Sequence, residues 1–204
     1  LRSEGLNLEA VGVATSDDGA IQVNDQLETT VEGIYAVGDV KGGAQFTYIS
    51  LDDSRIVWPE LQKRLLDREA GNGAGEAVQA SASTHASVDT RRIYPQTTFV
   101  DPPYSRVGLS ETEARETHGE IIVKASAAAQ IPKTQVVEET AGRVKVILDA
   151  TGEQILGAQL FCYESHEVIN LLALAIHEQI PAASLRDQIY NHPVMSEMFN
   201  ELLS

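Results

Sequence analysis

Apolar positions change their spacing along the chain, and that change sets the expected elements. Near the N-terminus they are sparse. Leu1 to Val13 predicts a loop with a short strand, and Ile21 to Val23 a strand after the Asp17-Asp18-Gly19 turn. Ile34-Tyr35-Ala36-Val37 is a compact apolar run that stops at Gly38-Asp39. Its length suits a strand buried on both faces, as in a parallel sheet. After a break at Gly42-Gly43, apolar residues at Ile49, Ile56, Leu61 and Leu65 predict a helix from Phe46 to Asp67. Further on the pattern is mixed. Thr97 to Val100 and Ile121 to Lys124 are strand candidates, and Ser110 opens a helix with Glu113 at the capping-box position. Val144–Leu148 and Ile155–Phe161 form a hairpin across Asp149-Ala150-Thr151-Gly152-Glu153. Glu164 or Ser165 opens a helix reaching Gln179, and Pro181 permits a second, short helix opened by Ser184. No internal repeat is visible.

Between the two patterned stretches, Gly71 to Thr90 is rich in Gly, Ala and Ser and poor in large apolar residues. It reads as a linker or flexible insertion, the other reading being an Ala-rich frayed helix end. The expected organisation is a first domain over 1–70, a linker over 71–92 and a second domain over 93–204. Gly71-Asn72-Gly73-Ala74-Gly75 is not a phosphate loop, because no strand precedes it and no Lys-Ser/Thr follows.

Charge narrows the partners. Fifteen Lys and Arg against thirty Asp and Glu give a net charge of -15. That balance argues against nucleic acid and anionic membrane surfaces, which call for basic patches. The most apolar run, Val168 to Ile176 between Glu167 and Glu178, is shorter than the roughly 20 residues that cross a bilayer. One cysteine, Cys162, allows neither an internal disulfide nor a dithiol centre, and a reducing cytoplasm fits. Flanked by Phe161 and Tyr163, it reads as a small buried hydrophobe. The chain starts at Leu1 without Met and without a signal-type apolar stretch, so it is expected to be a piece of a longer, cytoplasmic protein. His85, His118, His166 and His177 show no metal-ligand spacing and are taken as surface residues.

Two segments carry candidate chemistry. In the first, an apolar run delivers Gly38 and then the carboxylate of Asp39. Gly lets a backbone approach a ligand closely, and Asp accepts hydrogen bonds from sugar-type hydroxyls. The turn that follows leads to a helix whose N-terminal N–H groups suit an anionic group. On residue types alone, an Asp that merely caps a turn is the ordinary reading. In the second, His192-Pro193-Val194-Met195-Ser196-Glu197 puts a His and a Glu five residues apart at a turn that opens a helix. A Glu that accepts from one ring nitrogen raises basicity at the other, which makes a general base. Without context a surface His near a helix start is the ordinary reading here too.

Resemblance adds to both. Thr29 to Val40, ending Tyr35-Ala36-Val37-Gly38-Asp39, resembles the second FAD signature of the pyridine nucleotide-disulfide oxidoreductases, the family of dihydrolipoamide, glutathione and mercuric reductases. Glu4 to Glu9 and Gly19 to Asn24 resemble the run that leads into it, and His192 to Glu197 resembles the family's C-terminal His-Pro-x-x-Ser-Glu. Phe99 to Glu111, with Pro102, Pro103, Val107, Gly108 and Ser110, resembles the opening of its interface domain. Segments 46–55 and 192–197 look most like bacterial members linked to reactive-chlorine resistance, which reduce metal ions or oxidants rather than lipoamide. Three departures from the wider family are Tyr190 where many members carry a second His, Val194 in place of Thr, and no terminal Cys pair of the mercuric reductase kind.

The resemblance implies an α+β fold class: the C-terminal tail of an FAD-binding α/β domain followed by an α+β interface (dimerisation) domain. It implies that Gly38 and Asp39 meet the ribityl chain of FAD, and that Gln45, Phe46, Thr47 and Tyr48 lie at the flavin pyrimidine edge. It implies that His192 and Glu197 form an acid-base pair serving a thiol of the other subunit in a homodimer. NAD(P)H, the first FAD motif and the dithiol would belong to upstream sequence. The helix over 168–176 would be buried in its domain or at the dimer seam. The alternative is that the chain as it stands is a dimerisation module with neither activity nor stable FAD binding.

Overall fold

The computed structural model describes residues 3, 5–70 and 93–204, with the side chains at 69 and 70 excepted. The stretch expected to be a linker, and His85 within it, lie outside the described residues. The chain divides into two compact units, Leu1–Arg92 and Ile93–Ser204.

The first unit has no multi-residue strand among its described residues. It holds a short helix α1 (Leu8–Val11), a 3-10 turn (Gly38–Lys41) and a long helix α2 (Thr47–Ala70). The short strand expected before Val13 is replaced by α1, which Gly12 ends in a left-handed conformation, φ 82°. Ile21 and Val23 take part only in isolated bridges, to Thr15 and Thr29. The buried parallel strand expected at Ile34–Val37 is not formed. Tyr35 makes one bridge to Glu28, and Ile34 and Val37 are exposed. The physical reason is the lack of ladder neighbours: the run's bonds go to a loop, Thr29 N–H to the Ile34 carbonyl and Ala36 N–H to the Leu27 carbonyl. Two small apolar clusters hold the unit, one around Val13, Ile21 and Ala36, the other joining Leu27 to Ile56 and Val57 of α2. Arg64 ties the loop to α2, pairing with Glu28 at 2.8 Å and Glu60 at 3.0 Å while its guanidinium lies over the Tyr35 ring.

The second unit is built on a five-stranded antiparallel sheet. Its strands are β1 (Gln96–Thr98), β2 (Tyr104–Gly108), β3 (Ile121–Ala127), β4 (Arg143–Asp149) and β5 (Ile155–Phe161), in the order β1-β2-β5-β4-β3. β4 and β5 form the expected hairpin, turned by Asp149, whose Oδ1 accepts the N–H groups of Glu153 and Gln154. β2 was not expected as a strand. It starts immediately after Pro103, where an extended backbone goes straight into the ladder with β5. Helix α3 (Glu111–His118) carries the expected capping box: Glu113 N–H donates to Ser110 Oγ, and Ser110 N–H to the Glu113 carboxylate. Gly108 has φ +67°, and a Cβ there would stand 2.4 Å from the Leu156 carbonyl, so strand pairing at this point depends on glycine.

Alternation along the strands sends Val107, Val144, Val146, Leu148, Ala158 and Leu160 into one core. Helix α5 (Ser165–His177) fills that face with Val168, Ile169, Leu172 and Ala175. The rest of the run faces outward, Leu171 and Leu174 being exposed, which leaves open the dimer-seam half of the expectation for 168–176. A short helix α4 (Pro132–Val136), not expected from the sequence, follows β3. Helix α6 (Ala182–Arg186) is capped by Pro181, so Ser184 lies inside it rather than opening it. Helix α7 (Met198–Leu202) closes the core with Met198, Phe199 and Leu202. Cys162 is fully buried here, and burial pushes its thiol up to about 12.

Candidate functional site

In the first unit the expected site residues cluster around the start of α2. Gly38 is buried with φ +68°, a conformation that favours glycine, and a Cβ there would meet Ser50 Oγ of α2 at 2.8 Å. The Asp39 carboxylate next to it is exposed. Gln45 and Thr47 are exposed, Phe46 is half-buried and Tyr48 is exposed, with the Phe46 and Tyr48 rings stacked at 5.0 Å. Thr47 and Tyr48 stand in the first turn of α2. The Phe46 carbonyl already accepts from Ile49 and Ser50.

One residue the sequence did not single out organises this turn. Asp53 is fully buried; its Oδ2 accepts the Gly38 N–H at 2.6 Å and pairs with Lys41 Nζ at 3.6 Å. Both ends of the Gly38–Lys41 turn are thereby fixed to one carboxylate. A signal was present: Asp53 sits four residues after Ile49 and three before Ile56, on the stripe that faces inward. A charge on a buried stripe has a partner or a job.

In the second unit, His192 and Glu197 meet. His192 Nδ1 lies 2.8 Å from Glu197 Oε2, and Glu197 Oε1 accepts the Val194 N–H at 3.1 Å. An ionised carboxylate only accepts, so the proton sits on Nδ1 and Nε2 is left as the basic nitrogen. The His192 side chain is 70% exposed and that of Glu197 is 15% exposed. A shielded carboxylate thus orients an open imidazole. The replacement of Thr by Val at 194 leaves this contact intact, because it is made by the Val194 backbone.

The remaining histidines separate. His118 is exposed, and His177 Nδ1 meets Glu178 at 2.9 Å on the surface. His166 departs from the expected surface position: it is half-buried, its ring tilted against Phe99 at 5.6 Å. Among the described residues no group of three or more His, Cys, Asp or Glu is placed to hold a metal ion, and no helix is long and apolar enough to cross a membrane.

Two stretches of the chain match known families. Residues 94–203 match the family described as "Pyridine nucleotide-disulphide oxidoreductase, dimerisation domain", and residues 2–55 match "Pyridine nucleotide-disulphide oxidoreductase". The chain is 42% identical to RclA of Escherichia coli K12 over 199 residues, 98% of this chain and 41% of RclA. The solved structure of that protein, titled an HOCl-induced flavoprotein disulfide reductase, superposes with a TM-score of 0.82, covering 97% of this chain and 41% of that one. A mercuric reductase of Shewanella putrefaciens is 30% identical over 192 residues, 94% of this chain and 31% of the relative. A dihydrolipoyl dehydrogenase of Mycobacterium tuberculosis is 31% identical over 198 residues, 97% of this chain and 39% of the relative. The chain therefore spans well under half the length of the curated relatives it matches.

Proposed function

Because this chain belongs to the pyridine nucleotide-disulphide oxidoreductase family, we propose that it is the C-terminal portion of an FAD-dependent oxidoreductase acting as a homodimer. That protein would use FAD and a dithiol to carry electrons from NAD(P)H, bound outside this chain, to an acceptor. The flavin supplies the two-electron step when bound. This chain's own residues bind, orient and move protons.

Asp39 would accept hydrogen bonds from ribityl hydroxyls, beside a Gly38 backbone held close by Asp53. The N–H groups that open α2 at Thr47 and Tyr48 would face the electron-rich edge of the flavin. The fit rests on a turn at a positive φ that favours glycine and an exposed carboxylate beside it. The exposed Leu171 and Leu174 of α5 would be covered by the second subunit. The same contact would present His192 to the partner's dithiol. There Nε2 would take the proton from a thiol and return it to the departing one, while Glu197 stabilises the imidazolium.

The observation that carries this reading is the 2.8 Å contact from Glu197 to one nitrogen of an exposed imidazole. The test is turnover of the FAD-containing parent carrying His192→Ala, expected to fall by roughly 10²- to 10⁴-fold with flavin content unchanged. Unchanged turnover removes the acid-base role.

A second reading is favoured by the 41% coverage of RclA: as it stands, the chain is a dimerisation module that retains no FAD. A visible absorbance scan of the purified chain decides this. Colourless protein that light scattering finds at twice the 22.1 kDa chain mass supports the module, and stoichiometric flavin rejects it.

A further inference from the structure

His192 is delivered by a segment with no regular structure of its own: residues 187–191 belong to neither helix nor strand. Burial does not hold its middle either, since Gln188 is exposed and Ile189 is 91% exposed. Its carbonyls are instead taken by side chains. Asn200 Nδ2 donates to the carbonyl of Arg186 at 2.5 Å and to that of Gln188 at 3.0 Å. Both acceptors are carbonyl oxygens, so only the NH2 end of the amide can face them. The Tyr190 hydroxyl donates to the Leu185 carbonyl at 2.9 Å, and its ring is tilted against buried Phe199 at 6.2 Å. Burial pushes the Tyr190 phenol up, further from ionisation.

Glu197 and Asn200 are three residues apart, one helical turn at the start of α7. From that single turn Glu197 takes the imidazole and the Val194 N–H, and Asn200 takes the carbonyls of Arg186 and Gln188. The segment is gripped at both ends by one rigid element. Tyr190, which stands where the family resemblance expects a second His, is turned inward and backs the segment from the core side.

We infer that Asn200, supported by Tyr190, is a positioning residue that holds the backbone of 186–192 so that Glu197 meets His192 in one orientation. For its catalytic consequence this rests on the acid-base reading above; for its effect on the ring it does not. Asn200→Leu keeps the approximate size and removes both donors without adding charge. In the 15N-labelled 204-residue chain, long-range spectra of the His192 ring are expected to show the Nδ1–H form in the wild type. Asn200→Leu is expected to move them toward a tautomer average and to add nanosecond motion at residues 187–192. Asn200→Gln, which retains a donor, restores part of the wild-type signature, and Tyr190→Phe gives a smaller shift than Asn200→Leu. In the FAD-containing parent, Asn200→Leu lowers kcat by roughly tenfold with KM little changed. Ring signals and relaxation in Asn200→Leu identical to the wild type overturn the inference. If the ring signals move but His192→Ala leaves turnover intact, the acid-base reading fails and the positioning role stands.

Discussion

The two units hold their candidate residues by different means. In the second, a continuous ladder and one apolar core make a rigid frame, and His192 stands off it on a segment gripped by side chains. In the first, two small clusters replace a sheet, and the turn carrying Asp39 is fixed by one buried carboxylate, Asp53. Where a ladder carries the fold, losing one polar contact disturbs the site. Where it does not, losing one polar contact disturbs the fold itself.

That contrast is breakable. The largest effect is expected for Phe199→Ala, which empties the centre of the second unit's core and costs about 3–5 kcal/mol in urea denaturation followed by circular dichroism. Asp53→Asn is expected to cost the first unit about 3 kcal/mol, because it keeps an acceptor for Gly38 N–H but leaves the Lys41 ammonium in a buried site without its charge partner. Trp58, the chain's single tryptophan, lies on α2, so its fluorescence reads this change. A loss below ~0.5 kcal/mol would erase the distinction between the units.

A pH effect sharpens the picture of the second unit. The Cys162 thiol is raised from 9.0 to about 12 in the folded chain, so the folded state favours the neutral thiol. Its contribution to stability is complete below pH 9 and is lost as pH rises from 9 towards 12, because the unfolded chain ionises first. At pH 10 stability is expected to be lower than at pH 7 by about 1 kcal/mol, and Cys162→Ala should abolish that part of the pH dependence. The smallest effect is Ser110→Ala, about 1 kcal/mol from the loss of the α3 cap.

Local features were legible in the sequence. The β4–β5 hairpin is announced by Asp149 to Glu153, the α3 cap by Ser110 and Glu113, and the His192–Glu197 pair by its spacing across one turn. Each depends on residues within a few positions of one another. What escaped depends on distant partners or on missing ones. β2 was masked by the prolines before it, and its partner β5 lies some fifty residues on. The apolar run at Ile34–Val37 has the composition of a strand but no ladder neighbours. Asp53 meets Gly38 across fifteen positions, and Asn200 meets Arg186 across fourteen. Helical spacing marks Asp53 as facing inward but not Gly38 as its partner, and no spacing marks Asn200.

On the proposed reading, His192 and Glu197 serve a thiol on the other subunit. Mixed dimers of the FAD-containing parent test it directly. One subunit carries His192→Ala, and the other keeps His192 but has its upstream dithiol replaced by serines. Neither variant alone is expected to turn over at more than a trace, whereas the mixed dimer, with one intact pairing of dithiol and His192, should recover turnover. Mixed dimers as inactive as their parents would contradict the account.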